Sequence, residues 1–447
     1  MPGEKRQWRI GSNAILGILV LLAGAECLWR GPVRFAQAGD FNDFISPYVQ
    51  SRNWIRGIDP YSPQNLVSGW PPYAKKKEFL ARDLADGSLV RKRGIPTAYP
   101  LPALVLIAPL AILPWTIADI LWLAISLAAY VVTILTVRSL ANLSWADRRT
   151  YFYLAFALAL APFHTGLAAG SIVIVALAPA VAAVSAIGRG NNILAALLLI
   201  LAISLKPQIG LPFLIYSVLR KHWGAAAMGA AGIATLAAVA IFRLAVSGTH
   251  WIHSYLYDNR VLFSDGSLGD FTEKNPIRFG LINLQVGIYA VLSSRNLANI
   301  LALVITAVLG VVWLFLVMRR ERHFDSLLPL SALVVLSLLP VYHRMYDASL
   351  LILPLAWSLT ALTGPARNAA KGTLLLLVVF LIPGGTALEQ LSYSGHFAAV
   401  QHQWWWDAFI MPHEVWALLM LGIVLLYAMR SESQSGGAGG IKLDSRF

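Results

Sequence analysis

Cysteine occurs once in the 447 residues, at Cys27. A disulfide within the chain is therefore excluded, and redox chemistry says nothing of the compartment. Charge is scarce as well: 13% of the residues are charged, against about 25% in ordinary soluble domains. Acids are the rarer sign, 22 against 35 bases, which leaves a balance of +13. There is neither a P-loop nor a Rossmann-type glycine fingerprint, so those two routes to nucleotide recognition are unsupported. No internal repeat and no soluble domain stands out.

Apolar residues fill the space left by charge. The chain is 57% hydrophobic with a mean hydropathy of +0.65, which places it among integral membrane proteins. Its excess of bases then suits anionic lipid surfaces rather than nucleic acid. The first apolar run, Asn13 to Trp29, is not followed by a small-residue cleavage pattern and is expected to be a retained span. Lys5, Arg6 and Arg9 precede it, so the positive-inside rule puts the N-terminus in the cytoplasm and the chain from Arg30 onward outside.

The first exterior loop is expected over 30–99. Its basic clusters, Lys75 to Lys77 and Arg91 to Arg93, are compatible with translocation because loops longer than about 60 residues cross largely regardless of charge. Within this loop, Phe41, Phe44, Tyr48 and Trp54 recur among polar residues, a pattern suited to an amphipathic helix lying along the headgroups. Tyr99-Pro100-Leu101-Pro102 opens a proline-rich apolar run that ends at Trp115. It is short of the ~20 residues a crossing needs and reads as half-membrane or re-entrant, a short true crossing being the alternative.

Further apolar runs follow to residue 244, a second exterior loop covers 247–295, and more runs reach residue 430. The total is about a dozen spans with both termini inside. Arg319 to Arg322 and Arg367 to Lys371 fall inside on this count, which independently puts Tyr342-His343-Arg344 outside. Trp404 to Trp406 suit an interfacial aromatic belt, and 431–447 form a Ser/Gly-rich tail expected to be disordered. The fold class is thus an all-α polytopic membrane protein with a single domain over 1–430.

Transfer of a sugar from a lipid phosphate to a hydroxyl needs a carboxylate to take the hydroxyl proton, donors to stabilise the departing phosphate and an apolar groove for the lipid tail. Asp43 and Asp40 are candidates for the base. Arg34, Arg52, Arg56, Lys206, His343 and Arg344 are candidates for the phosphate. Lys206 stands between two short apolar runs, where a cation is costly unless it faces a cavity or an anion. His343 and Asp347 are spaced i and i+4 around Tyr346 and can share one face. His250 and His253 share a face too, but two histidines without a third ligand do not make a zinc site.

These motifs, in this order, resemble the multispan GT-C-fold glycosyltransferases of family 87. The family's Asp-Phe pair, glycine and Asp-Pro-Tyr correspond to Asp43-Phe44, Gly57 and Asp59-Pro60-Tyr61. Tyr99-Pro100-Leu101-Pro102 is similar to its Tyr-Pro-Pro element, Lys206-Pro207 with Arg220 to Trp223 to its Lys-Pro segment, and His343, Tyr346 and Asp347 to its late histidine-tyrosine signature. Gly170-Ser171 departs from the family's Gly-Gln.

The resemblance implies a GT-C-type bundle and inverting transfer of a sugar, most often mannose, from a polyprenyl-phosphate donor to a lipid or glycan hydroxyl. The site would lie on the exterior or periplasmic side of a plasma (inner) membrane. Asp43 rather than Asp40 would be the base, with His343 beside it. Lys206, Arg344, Arg52 and Arg56 would hold the donor phosphate, and Tyr61, Tyr346 and Asp347 would contact substrate. No cofactor, metal or nucleic acid is implied. The rival from another class is a multispan transporter or lipid flippase, to which the charge at Lys206 would belong.

Overall fold

The computed structural model describes residues 4–38, 42–71, 99–319, 327–401 and 403–435. Asp40, the clusters at Lys75 to Lys77 and Arg91 to Arg93, and most of the tail lie outside the described residues. The described chain is helical throughout, with one isolated β-bridge, Leu281 to Arg344.

Among the described residues, five helices are long and apolar enough to cross a membrane: Ala14–Ala38, Trp115–Leu140, Trp223–Val246, Arg295–Met318 and His413–Glu432. Two pairs bent by 43° and 44°, Arg148–Ala159 with Ala161–Ala169 and Arg367–Leu381 with Gly384–Ser392, bring the number to seven if each pair is one broken span rather than a re-entrant loop. Six shorter apolar helices, among them Leu101–Ala111, Asn192–Leu205 and Pro207–Leu219, pack between them. The outermost helices turn apolar side chains outward. In the most apolar window of Arg295–Met318 only 17% is buried, and Val311 and Met318 are exposed. An apolar face left open in this way is what a lipid-facing helix presents, since no hydrophobic gain attaches to covering it.

The helix Ile45–Arg56 differs from the surface helix that its aromatic spacing suggests. Phe44 and Tyr48 are 1% and 0% exposed, turned inward rather than toward headgroups. Phe44 stacks on Trp122 at 4.2 Å and 6°, and Tyr48 meets Trp115 edge-on at 5.1 Å. The far end is tied down as well. Gly57 caps the helix at φ +71, while Trp54 and Arg243 bond the Ala240 and Ile55 carbonyls across to the Trp223–Val246 helix. Aromatic rings recurring every three or four residues serve a core face as readily as an interfacial one, and composition does not separate the two.

The Lys206 break follows from Pro207, which cannot continue the preceding helix but suits the first position of the next. Lys206 is extended at φ −149, ψ 96 between Asn192–Leu205 and Pro207–Leu219. Gly210 then passes so close to Ile203 that a Cβ would stand 2.7 Å from its backbone nitrogen. The chain therefore turns sharply with Lys206 at the apex. Trp404 is exposed and Trp406 buried, so the tryptophan run divides between surface and core.

Candidate functional site

Three separate stretches converge where Asp43, Lys206 and the 342–347 turn meet. Asp43 follows the Arg34–Ala38 helix, and its backbone N–H donates to the Ala169 carbonyl at 2.6 Å. That carbonyl is available because Gly170 ends the Ala161–Ala169 helix in the left-handed region, at φ +64. The Gly170 carbonyl accepts the Trp122 indole N–H at 2.8 Å. The ring that stacks on Phe44 thus also fixes the turn that holds Asp43.

The second stretch is the turn leading into the short 3₁₀ helix Met345–Leu351. Asp347 is 1% exposed and accepts three bonds. These come from Lys206 Nζ at 2.5 Å, from the Arg344 backbone N–H at 3.0 Å, and through the His343 Nδ1 contact at 3.1 Å. Nε2 of His343 lies 3.2 Å from the Ser337 carbonyl. Lys206 Nζ also stands 5.1 Å from the Tyr346 ring, a cation–π distance.

Asp43 faces this turn from the other side. The Tyr346 hydroxyl donates to its carboxylate, and Arg344 and Lys206 are within electrostatic reach. Burial raises the Asp43 carboxyl above the ordinary aspartate value, the largest effect, and the two cations oppose it. Arg344 bonds Tyr342. Tyr99 stands near Asp43, Tyr342 and Asp347. The result is two carboxylates and two cations interleaved among three tyrosines, beneath a loop joined to it where Ile282 N–H donates to the His343 carbonyl at 3.0 Å.

Of the residues singled out from sequence, Asp43, Lys206, His343, Arg344, Tyr346 and Asp347 are brought together. Arg52 instead donates to the Tyr48 hydroxyl at 3.1 Å, and Arg56 is exposed at the end of its helix. Tyr61 is fully buried behind the cluster, its hydroxyl donating to the Tyr99 carbonyl at 2.6 Å. Asp59 shapes the turn that places it, accepting from the Tyr61 N–H at 2.9 Å and from the Ser254 hydroxyl at 2.6 Å. Tyr99 and Tyr342 were not singled out as site residues. Their only sequence signal is adjacency to Pro100 and His343, since a tyrosine in an apolar chain is ordinarily a core residue.

A glycosyltransferase family 87 model matches residues 97–341, more than half of the chain. The matched segment contains Tyr99 and Lys206, follows Asp43 and stops just before His343. No curated protein and no solved structure matches the chain.

Two stability predictions follow from the geometry. Removing one partner of a buried ion pair strands the other and typically costs about 3–5 kcal/mol. Lys206→Met should therefore lower the thermal midpoint of the purified protein strongly, and adding Asp347→Asn should restore part of the loss. Equal midpoints for wild type and Lys206→Met would show the pair to be dispensable.

The second concerns Asp258, behind Tyr61, which is fully buried with both carboxylate oxygens lacking a hydrogen-bond partner among the described residues. Burial and then Asp59 raise its carboxyl to about 9, far above the ~3.9 of an unfolded aspartate. The folded state thus binds the extra proton between those values, so Asp258 lowers stability as pH rises through that window. Asp258→Asn should raise the midpoint at pH ~8 and change it little near pH ~4. Parallel pH curves for the two proteins would refute this.

Proposed function

The chain belongs to glycosyltransferase family 87, and we propose that its Asp43 cluster moves a sugar from a polyprenyl-phosphate donor to a lipid or glycan hydroxyl. The protein is a multi-pass membrane glycosyltransferase, and mannose or a related sugar is the group transferred. One observation carries this reading: Asp43, hydrogen-bonded to Tyr346, sits in a tyrosine-lined cluster with Arg344 and Lys206 in reach.

Asp43 takes the proton of the acceptor hydroxyl as that oxygen attacks the anomeric carbon. The bond from that carbon to the phosphate oxygen breaks, and its electron pair leaves with the polyprenyl phosphate. Attack opposite the leaving group inverts the anomeric centre in a single displacement, so one base suffices. Arg344 stabilises the charge that accumulates on the phosphate, with Lys206 beside it, in a setting where water is scarce and the Coulomb term correspondingly large. Asp347 and His343 hold the turn that aims Arg344. Tyr346 steadies the Asp43 carboxylate, and Tyr61 supports the cluster through Tyr99. Arg52 and Arg56, on the Ile45–Arg56 helix that follows Asp43, meet donor headgroups.

The chain forms a GT-C-type bundle of about a dozen crossings, a reading that the five to seven spans and six shorter apolar helices among the described residues support. In this arrangement 1–430 form one domain, 30–99 and 247–295 lie outside, and the His413–Ser435 helix runs to its end on the cytoplasmic side. The basic turns at Arg148-Arg149 and Arg220-Lys221 then face the cytoplasm of a plasma (inner) membrane, with Asp43 on the exterior or periplasmic side.

The test is transfer from a panel of radiolabelled polyprenyl-phosphate sugars by protein in lipid, with membrane extract as acceptor. Asp43→Asn keeps the size and removes the base, and should cost at least ~100-fold in rate. Because burial raises the Asp43 carboxyl, wild-type kcat/KM should fall on acidification at a pH above the ordinary aspartate value of ~3.9. Near-normal turnover by Asp43→Asn, or a profile flat down to that pH, would remove Asp43 from the role.

A further inference from the structure

Beyond the Asp43 cluster lies a cavity of about 480 Å³ between the loop at 273–279 and the segment 389–411. Its lining sets aromatic side chains among carboxylates: Phe279 and Trp406 beside Glu273, Glu389 and Asp407, with Arg278 among them. Resting on the function proposed above, we propose that this cavity binds a neutral sugar ring of the acceptor, which makes the acceptor a glycan or glycolipid rather than a bare lipid alcohol.

Glu389 carries the inference. It is 8% exposed, it lines the cavity, and no hydrogen bond to its carboxylate is found among the described residues, though Arg278 and Arg344 are within electrostatic reach. A carboxylate this enclosed, without a protein donor and open only to the cavity, is placed to accept from a ligand's donors. The other carboxylates are already engaged, Asp407 by Arg278 at 2.9 Å and Glu273 by the Tyr289 hydroxyl. Nearby, Ser392 Oγ is buried without a hydrogen-bond partner.

The occupant's chemistry follows from this lining. Three carboxylates against one arginine disfavour a phosphate or any other anion. Carboxylates set among the apolar side chains of the wall disfavour a lipid tail. Asp407 and Glu273 already have protein partners, which argues against a cation. A pyranose or furanose ring remains: its hydroxyls donate to carboxylates, and its C–H faces lie on aromatic rings. The volume is within the range of small-molecule sites.

Position fits delivery to the reaction as well. Arg278 begins the turn whose Gly280 lies against the Arg344 side chain and against Thr386, one turn before Glu389. A ring held by Glu389 therefore neighbours the guanidinium that reaches Asp43.

Binding of neutral methyl glycosides and their disaccharides to protein in nanodiscs, followed by saturation-transfer NMR, tests the site without requiring turnover. At least one glycoside should bind wild type and Asp43→Asn. Glu389→Gln should weaken it by about 10-fold, the effect of losing one charge-assisted hydrogen bond. Ser392→Trp, which fills the space, should abolish it. Absence of glycoside binding by wild type, or equal binding by both cavity variants, overturns the assignment.

Steady-state transfer separates this inference from the one beneath it. Glu389→Gln should raise the acceptor KM with kcat and the donor KM held, whereas Asp43→Asn should lower kcat. Glycoside binding that depends on Glu389 in a protein with no transferase activity would retain the cavity assignment and sink the transferase. Transfer to a bare lipid alcohol without glycoside binding would do the reverse.

Discussion

The site is organised around the buried carboxylate of Asp347. In an apolar bundle an isolated carboxylate is expensive, and Asp347 is tolerated because three partners meet it, one from a distant stretch and two from its own turn. Lys206 comes from the apex of a proline-broken helix pair, while His343 and the Arg344 N–H come from the turn itself. The same bonds that neutralise Asp347 determine where Arg344 points. Electrostatic necessity and the geometry of the cluster are therefore one constraint, joined through the single contact between Lys206 and Asp347.

Much of this was legible in the chain. The scarcity of charge identified a membrane protein, and it also made each remaining charge conspicuous, which is why Lys206, His343 and Asp347 stood out. The i, i+4 spacing of the last two translates directly into their contact. Long-range pairing was not legible. Nothing in the sequence states that Lys206 meets a residue 141 positions later, and only the order of motifs in the family hinted at it.

Arg52 and Arg56 show how little nearness along the chain says about direction. Their proximity in sequence to Asp43 suggested a shared site, yet the intervening helix turns one of them toward Tyr48 and the other to the surface. Aromatic residues misled for a related reason, since Phe44 and Tyr48 have the same composition signature whether they face lipid headgroups or a tryptophan-lined core. Glu389 was missed because an acid in a polar-looking segment is unremarkable until its burial is known.

The manner in which Asp43 is mounted has a consequence for which hydroxyl reacts. Its main chain is bonded to the Ala169 carbonyl, the next side chain is stacked on Trp122, and Tyr346 bonds its carboxylate. A base held at so many points does not swing to meet alternative nucleophiles. Under the proposed reaction the acceptor must present its hydroxyl to a stationary oxygen, and the hydroxyls of one ring point in different directions. Regioselectivity, the formation of one linkage out of several isomeric ones, would then reside in the rigidity of an aromatic stack that touches no substrate.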